Sequence, residues 1–499
     1  MMQFRRACGW LVLSLLAMPV SAQQLSGGAS QLSVPRSLGE LLAAGNQSSF
    51  SGSVPSEKLK PGVLDLSVED AINRGLRYNL GIVLTGQASE QARAARLREL
   101  SNILPHIDGS LRESNIKDNF LARGLNFAPF AAIGIKISPA ARFSNSDARV
   151  SMTENLLDFS AINNVRAAGA NVRAADLTFN NAKETVTLAV AASYLLVVTA
   201  ESQVEASTAE LKTAEALHRL AQDREAAGLI PNVDTLRARV ELQVRRQNLI
   251  EANNNLAKKR ITLLRVLGLP VHQEIKLVSR VPYKPLTQVS EEAAFHRALL
   301  MRPDYLAADQ LVRAAELRKK AAEAERLPSV GISGHYGVLG THPSNVFPTW
   351  AINAGMKVPV FEGGRIEADI RQAQAVLQQR RAQRDDLRGR IEQDVANAYL
   401  DVKAAAEQVE VANVTLQYAQ QALTQSQDRF SAGVTNNIEV IQAQEALATA
   451  NQQYIGSLYS HNIAKVLLAR AIGIAEQTLR QVLSDDLGPA VPSNAAPSK

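Results

Sequence analysis

Apolar and polar positions along this chain follow two rhythms, and each rhythm occurs twice. Val330, Ile332, Gly334, Tyr336 and Val338 fall on one face of a two-residue period, with Ser329, Ser333 and His335 on the other. Ile352, Ala354, Met356, Val358 and Val360 form a second such face. Ala148, Val150 and Met152 against Arg149, Ser151 and Thr153 give the same pattern earlier. This alternation predicts strands of a sheet that is apolar on one side only. The other rhythm is helical and long. From Ser160 to Gly228 there is no proline and one internal glycine, Gly169; from Arg365 to Gly433 there is again no proline and only Gly389. Each stretch can form a rod of roughly 100 Å at about 1.5 Å per residue, which suits a coiled coil or helical barrel better than a globular domain. Shorter helices are predicted from about Ser67 to Ile103 and from about Glu291 to Arg326, stopped by Pro105 and Pro328.

These elements recur because the chain is a tandem repeat. Leu104-Pro105-His106-Ile107 returns as Leu327-Pro328-Ser329-Val330, 223 residues on, and Ala71, Arg74 and Leu76 return as Ala294, Arg297 and Leu299 at the same spacing. Further along the spacing is 205: Gln222-Asp223-Arg224 matches Gln427-Asp428-Arg429, Ala227-Gly228 matches Ala432-Gly433, and Asn232 matches Asn437. The shorter spacing places a longer insert in the first copy, between about residues 108 and 155. Each copy reads helix, strand, loop, strand, very long helix, turn, helix. The expected organisation is a signal peptide (1–22), an N-terminal extension (23–62), a first repeat (63–268), a connection (269–290), a second repeat (291–480) and a flexible tail (481–499).

The N-terminus changes the compartment. Arg5 and Arg6 precede an apolar run from Trp10 to Val20, and Val20-Ser21-Ala22 is a small-residue cleavage site. Cleavage removes Cys8, the one cysteine, and lowers the formal charge from +6 to +4. That residual charge is too small to argue for a nucleic-acid partner. Only 5% of residues are aromatic, which suits Ala-rich helices packed side by side. Thr185 to Ala200 reads like a membrane helix, yet its repeat counterpart begins Arg390-Ile391-Glu392-Gln393-Asp394. One fold position does not serve both lipid and such charge, so the segment is expected to be a helix packed on both sides by neighbours.

Half-apolar strands facing lipid must leave no backbone edge open. Closed bacterial barrels need at least about 8 strands, so the four strands expected per chain cannot close alone. The strands therefore either form a soluble sheet with an uncovered face or combine with other chains; a trimer would supply twelve, though the sequence alone does not fix the number three.

The tandem repeat, Met301-Arg302-Pro303-Asp304-Tyr305, Val358-Pro359-Val360-Phe361-Glu362-Gly363-Gly364 and the Arg-x-x-x-Gly turns (Arg224 to Gly228, Arg429 to Gly433) together resemble the TolC-like outer membrane efflux protein family, over about residues 63–480. The resemblance implies a mainly α fold with membrane β structure. The chain's two repeats would form one third of a 12-stranded outer-membrane barrel, continued by a long periplasmic α-helical barrel. It implies a homotrimer in the outer membrane of a Gram-negative-type bacterium, in contact with its lipid. The implied function is a passive exit channel for efflux or type I secretion, served by a periplasmic adaptor protein and an inner-membrane pump of the RND or ABC type. An exported structural coiled-coil or adhesive protein without a pore is the alternative reading of the rods. It leaves the duplicated strands unexplained.

Gly228 and Gly433 are expected to end the long helices in the left-handed conformation. Acidic residues Asp234 and Glu439 open the returning helices, where they offset the helix dipole. The resemblance adds a gate. The turn residues Arg224, Gly228, Asn232, Arg429, Gly433 and Asn437 would form the tips that meet the adaptor. Glu439 and Gln442 stand at positions that are acidic and pore-lining in the family's best-known member, and only Glu439 keeps the charge. Asp234 matches a position that locks the closed tip through a tyrosine and an arginine. Here those partners are Phe430 and Thr435, so a closed tip must be held differently and by a weaker lock. No nucleotide-binding loop, zinc spacing or nucleophile elbow is present, so neither an enzyme nor a cofactor is expected. His335 is expected on the sheet, facing the pore or solvent, and His218 and His461 on helix surfaces.

Overall fold

The structure, a computed structural model, describes residues 49–54, 62–124, 140–278 and 290–476, with Gly134 and Ser138. The expected signal peptide, most of the extension, residues 279–289 of the connection, the tail 481–499 and, within the first-repeat insert, residues 125–139 apart from Gly134 and Ser138 lie outside them.

The chain runs β1 (Leu64–Leu66), α1 (Val68–Tyr78), α2 (Leu80–Ser101), β2 (His106–Asn119), β3 (Ala140–Leu157), α3 (Phe159–Ala226) and α4 (Asn232–Leu267). β4 (Ile275–Leu277) lies in the connection, and the second repeat gives α5 (Glu291–Met301), α6 (Pro303–Ala324), β5 (Ser329–His342), β6 (Asn345–Lys357), α7 (Arg365–Ser431) and α8 (Asn437–Ile472). The rods α3 and α7 are unbroken over 68 and 67 residues. Asp158 caps α3 by accepting from the Ala161 amide at 2.9 Å.

Each shorter helix, in contrast, is two. The expected Ser67–Ile103 helix breaks at Asn79, whose backbone is extended and whose side chain caps α2 through the Gly81 amide at 2.9 Å. Its repeat counterpart, 223 residues on, is Arg302, where the helix expected from Glu291 to Arg326 breaks. Arg302 precedes Pro303, which disfavours helical backbone at the residue before it.

β2, β3, β5 and β6 form one antiparallel sheet in that order. Residues directly opposite share a face. The register therefore puts Gly109, Val150, Tyr336 and Trp350 in one row, Ile107, Met152, Gly334 and Ile352 in the next, and Leu111, Ala148, Val338 and Pro348 in a third. The opposite face carries Asp108, Ser151 and His335 in one row and Arg112 and Asp147 in another. His335 thus lies on the polar face, as expected. Leu111 and Trp350 are 87% and 70% exposed, so nothing among the described residues covers the apolar face. β6 ends at Lys357, short of Val358 and Val360.

Below the sheet the helices form one layer. Near the strands the order is α2–α3–α6–α7; farther away it is α4–α3–α8–α7. The core lies where the two halves meet. Val186, Val190, Tyr194 and Val197 of α3 are buried there against Leu263 and Leu267 of α4, Ile391 and Val395 of α7 and Val466 of α8. α3 contains the one described helix apolar enough to cross a membrane by length and composition, and 61% of that window is buried inside the chain. This packing on several sides is what the repeat comparison implied for Thr185–Ala200. It also corrects the expectation for His461, which is fully buried because α8 is enclosed here on more than one face. His218 is only half-buried.

Candidate functional site

The end of the helical layer farthest from the sheet is made by two turns of identical construction. α3 and α7 each finish in a left-handed glycine, Gly228 and Gly433, both with φ 72°. Leu229 donates its amide to the Arg224 carbonyl at 2.9 Å, and Val434 to the Arg429 carbonyl at 3.0 Å. Glycine at this position carries no Cβ penalty. Leu229 and Val434, one residue on, are 72% and 70% exposed, an apolar pair at the very tips that motif reasoning missed. Their equivalence at the 205-residue spacing was the available signal.

The expected residues do come together here, with unequal surroundings. Asp234 is buried and pairs with Arg237 at 3.0 Å. Its repeat equivalent Glu439 is half-buried, and at the position equivalent to Arg237 stands Gln442, which is exposed. Glu439 instead accepts from the Thr435 hydroxyl and lies 3.5 Å from the Arg429 guanidinium. Phe430 is buried with Leu217, Leu423, Val440 and Ala443. Asn232 donates to the Glu225 carboxylate at 2.6 Å. Hydrogen bonds from Thr235 and then Asn232 hold that carboxyl below its usual range. Asn437 is fully buried and donates to the Asp234 carbonyl at 3.1 Å, tying the two returning helices together.

The strongest link between the two hairpins is Arg224. Its two terminal nitrogens donate to the Phe430 and Ser431 carbonyls, and its guanidinium lies 4.7 Å from the centre of the Phe430 ring. Those carbonyls are at the C-terminal end of α7, where the dipole is negative, and the Phe430 carbonyl also accepts the Gly433 amide at 3.1 Å. Phe430, which cannot make the hydroxyl bond of a tyrosine, thus contributes its ring face and its carbonyl. Among the described residues no three His, Cys, Asp or Glu side chains gather closely enough to hold a metal ion.

A layer of rods ending in paired turns, with an uncovered apolar sheet at the other end, is the architecture of an outer-membrane channel. The model of the outer membrane efflux protein family matches residues 87–269 and 294–474. The chain belongs to that family. Its relatives include the outer membrane efflux protein BepC of Brucella suis, 26% identical over 79% of this chain and 88% of that protein. The alkaline protease secretion protein AprF of Pseudomonas aeruginosa is 22% identical over 66% and 69%. In fold, the chain is similar to the CmeC outer membrane channel of Campylobacter jejuni (TM-score 0.70, 17% identity, covering 87% of this chain and 95% of that one). It is also similar to the open state of the MtrE channel of Neisseria gonorrhoeae (TM-score 0.66, 17% identity, 84% and 94%). The protein is an outer-membrane channel of an efflux or secretion system, and it extends into the periplasm. The coiled-coil alternative without a pore is set aside by this membership.

Proposed function

We propose that the channel is a homotrimer that conducts passively from an inner-membrane pump, through a periplasmic adaptor, to the outside. The observation that carries this reading is a pair of complementary open edges. The sheet ends in β2 on one side and β6 on the other. The helical layer ends in α4 and α7. Along α4 an exposed apolar stripe runs through Val233, Leu236, Val240 and Val244; along α7 another runs through Leu400, Val411, Val414 and Tyr418. α4 carries eight Lys and Arg against three Asp and Glu, whereas residues 394–431 of α7 carry five Asp and Glu against two Lys and Arg. Such unlike edges pair head to tail and close into a ring. Three copies bring twelve strands, above the roughly 8 that a barrel requires.

The native mass of the protein, extracted from outer membranes in mild detergent, tests this. A mass near three chains is expected, and a monomer would leave strand edges open in lipid. Val240→Asp puts an unpaired carboxylate into the α4 edge and is expected to shift the extracted species from trimer to monomer. Wild-type mass in that variant would remove α4 from the interface.

In this trimer the tips Arg224, Gly228, Asn232, Arg429, Gly433 and Asn437 face the inner membrane and the adaptor, with Leu229 and Val434 as their apolar contacts. Asp234, Phe430, Thr435, Glu439 and Gln442 surround the aperture. Repeated around the axis, Glu439 forms an anionic ring that favours cations. Glu439→Ala is expected to lower cation selectivity, read from reversal potentials across a planar bilayer under a salt gradient; unchanged selectivity would remove the ring.

A further inference from the structure

The two Arg-x-x-x-Gly tips have the same backbone but use their arginines differently. Arg224 crosses to the other hairpin and grips the end of α7. Arg429, its equivalent 205 residues on, has no second hairpin to cross to within the chain. It is 57% exposed and only loosely paired with Glu439 at 3.5 Å. The layer order α4–α3–α8–α7 means that the contact between α3 and α8 inside the chain has a repeat equivalent: α7 against the α4 of a following copy. The apolar stripes and opposite charges of α4 and α7 mark that same junction.

We propose that Arg429 is the interchain copy of the Arg224 clamp. This rests on the trimer reading above. Subtracting the repeat spacing from the Arg224 acceptors, Phe430 and Ser431, gives the Glu225 and Ala226 carbonyls at the C-terminal end of α3 in the neighbouring chain. The same subtraction turns the Asn437 to Asp234 link into a bond from the neighbour's Asn232 to the Glu439 carbonyl. Both acceptor pairs are last-turn helix carbonyls; Phe430 and Glu225 each accept one amide, from Gly433 at 3.1 Å and Gly228 at 2.9 Å, which leaves a second lone pair, and a guanidinium bonds two such carbonyls at once. The closed tip is then a ring of six clamps, alternating within and between chains. Once Arg429 turns to the neighbour, the Glu439 carboxylate keeps its Thr435 hydroxyl bond and is free to line the aperture. At the Glu225 position Phe430 has no equivalent ring, so the interchain clamp lacks the stacking that backs Arg224 and is the one expected to open first.

Single-channel conductance of purified trimers in planar phosphatidylcholine bilayers tests this, with native mass checked for each variant. Arg429→Ala is expected to raise conductance several-fold, Arg224→Ala to raise it also, and the double variant to exceed either. Arg429→Lys keeps the charge and the pairing with Glu439 but not the two-pronged contact, so it too is expected to raise conductance, by less than Arg429→Ala. An Arg429→Ala trimer that conducts as wild type while gaining cation selectivity has only lost a pair with Glu439 inside the chain, and overturns the clamp. A variant that dissociates is read through Arg429→Lys, where wild-type conductance overturns the clamp as well. Wild-type protein that is monomeric or never conducts fails differently, by removing the trimeric channel itself.

Discussion

Arg302→Ala is expected to destabilise the chain by about 3–5 kcal/mol, the range for removing one partner of a buried ion pair. Arg302 is 2% exposed. Its guanidinium donates to both Asp304 oxygens, at 3.0 and 2.7 Å, and to Asp394 at 3.1 Å. Burial is the largest single influence on the Asp304 carboxyl and would raise it, but the hydrogen bonds and charge of Arg302, with the Arg470 charge and the Tyr305 amide, together hold it below its usual range. Without Arg302 the Asp304 carboxylate keeps only the Tyr305 amide, at 2.9 Å, and loses its bidentate cation. The site also joins elements distant in sequence. Arg302 sits between α5 and α6, Asp394 is on α7, and Gly473 ends α8 with the Arg302 backbone nitrogen 2.9 Å from where a Cβ would stand. On α8, Arg470 is buried nearby and donates to Asn181 of α3 at 2.6 Å. One turn along α3, Glu184 accepts from the Ala475 amide at 2.7 Å. The loss is read as a lower midpoint in chemical denaturation followed by helical circular dichroism. Arg302→Met with Asp304→Leu removes both charges and should recover most of it, because an apolar pair of similar volume often matches a buried ion pair. A loss below about 1 kcal/mol for Arg302→Ala would mean that water reaches the site and the pair is worth no more than a surface bridge.

The same joint shows how far the amino-acid pattern could be read. The rods α3 and α7 were legible because nothing in them breaks a helix, and the strands because lipid and lumen impose a strict alternation. The break at Arg302 was also visible in principle, since a residue before proline avoids helical backbone. The break at Asn79 was not. Tyr78-Asn79-Leu80 carries no proline, and the extended backbone there is held by partners remote in sequence. The Asn79 amide group donates to the Phe50 carbonyl at 2.7 Å. Burial of His461 was hidden for a related reason: helical periodicity assigns one inner face, whereas α8 meets α3, α5 and α7. At the tips, Arg-x-x-x-Gly announced two turns and the repeat announced their equivalence. What the motif does not encode is reach. Arg224 finds its acceptors 206 and 207 residues away, and it does so because the layer order sets one hairpin beside the other.

Val150→Arg is expected to oppose assembly in the outer membrane by about 2–4 kcal/mol, the range for a basic residue on the lipid face near mid-bilayer. Val150 lies in the middle of the three apolar rows, flanked on its own face by Gly109 and Tyr336, and it is 54% exposed. Its chain neighbour Arg149 points to the other face and pairs with Asp147. A one-residue step along a strand exchanges the faces, so these two positions test the assignment against each other. With the apolar rows in lipid, Val150→Arg lowers the yield of folded trimer inserted into bilayers, while Arg149→Val leaves insertion intact and changes conductance through the lumen. The reverse outcome would place Arg149 in lipid and Val150 in the pore. That would invert the barrel, and with it the polar lining of Asp108, Arg112, Asp147 and His335 that a water-filled exit path requires.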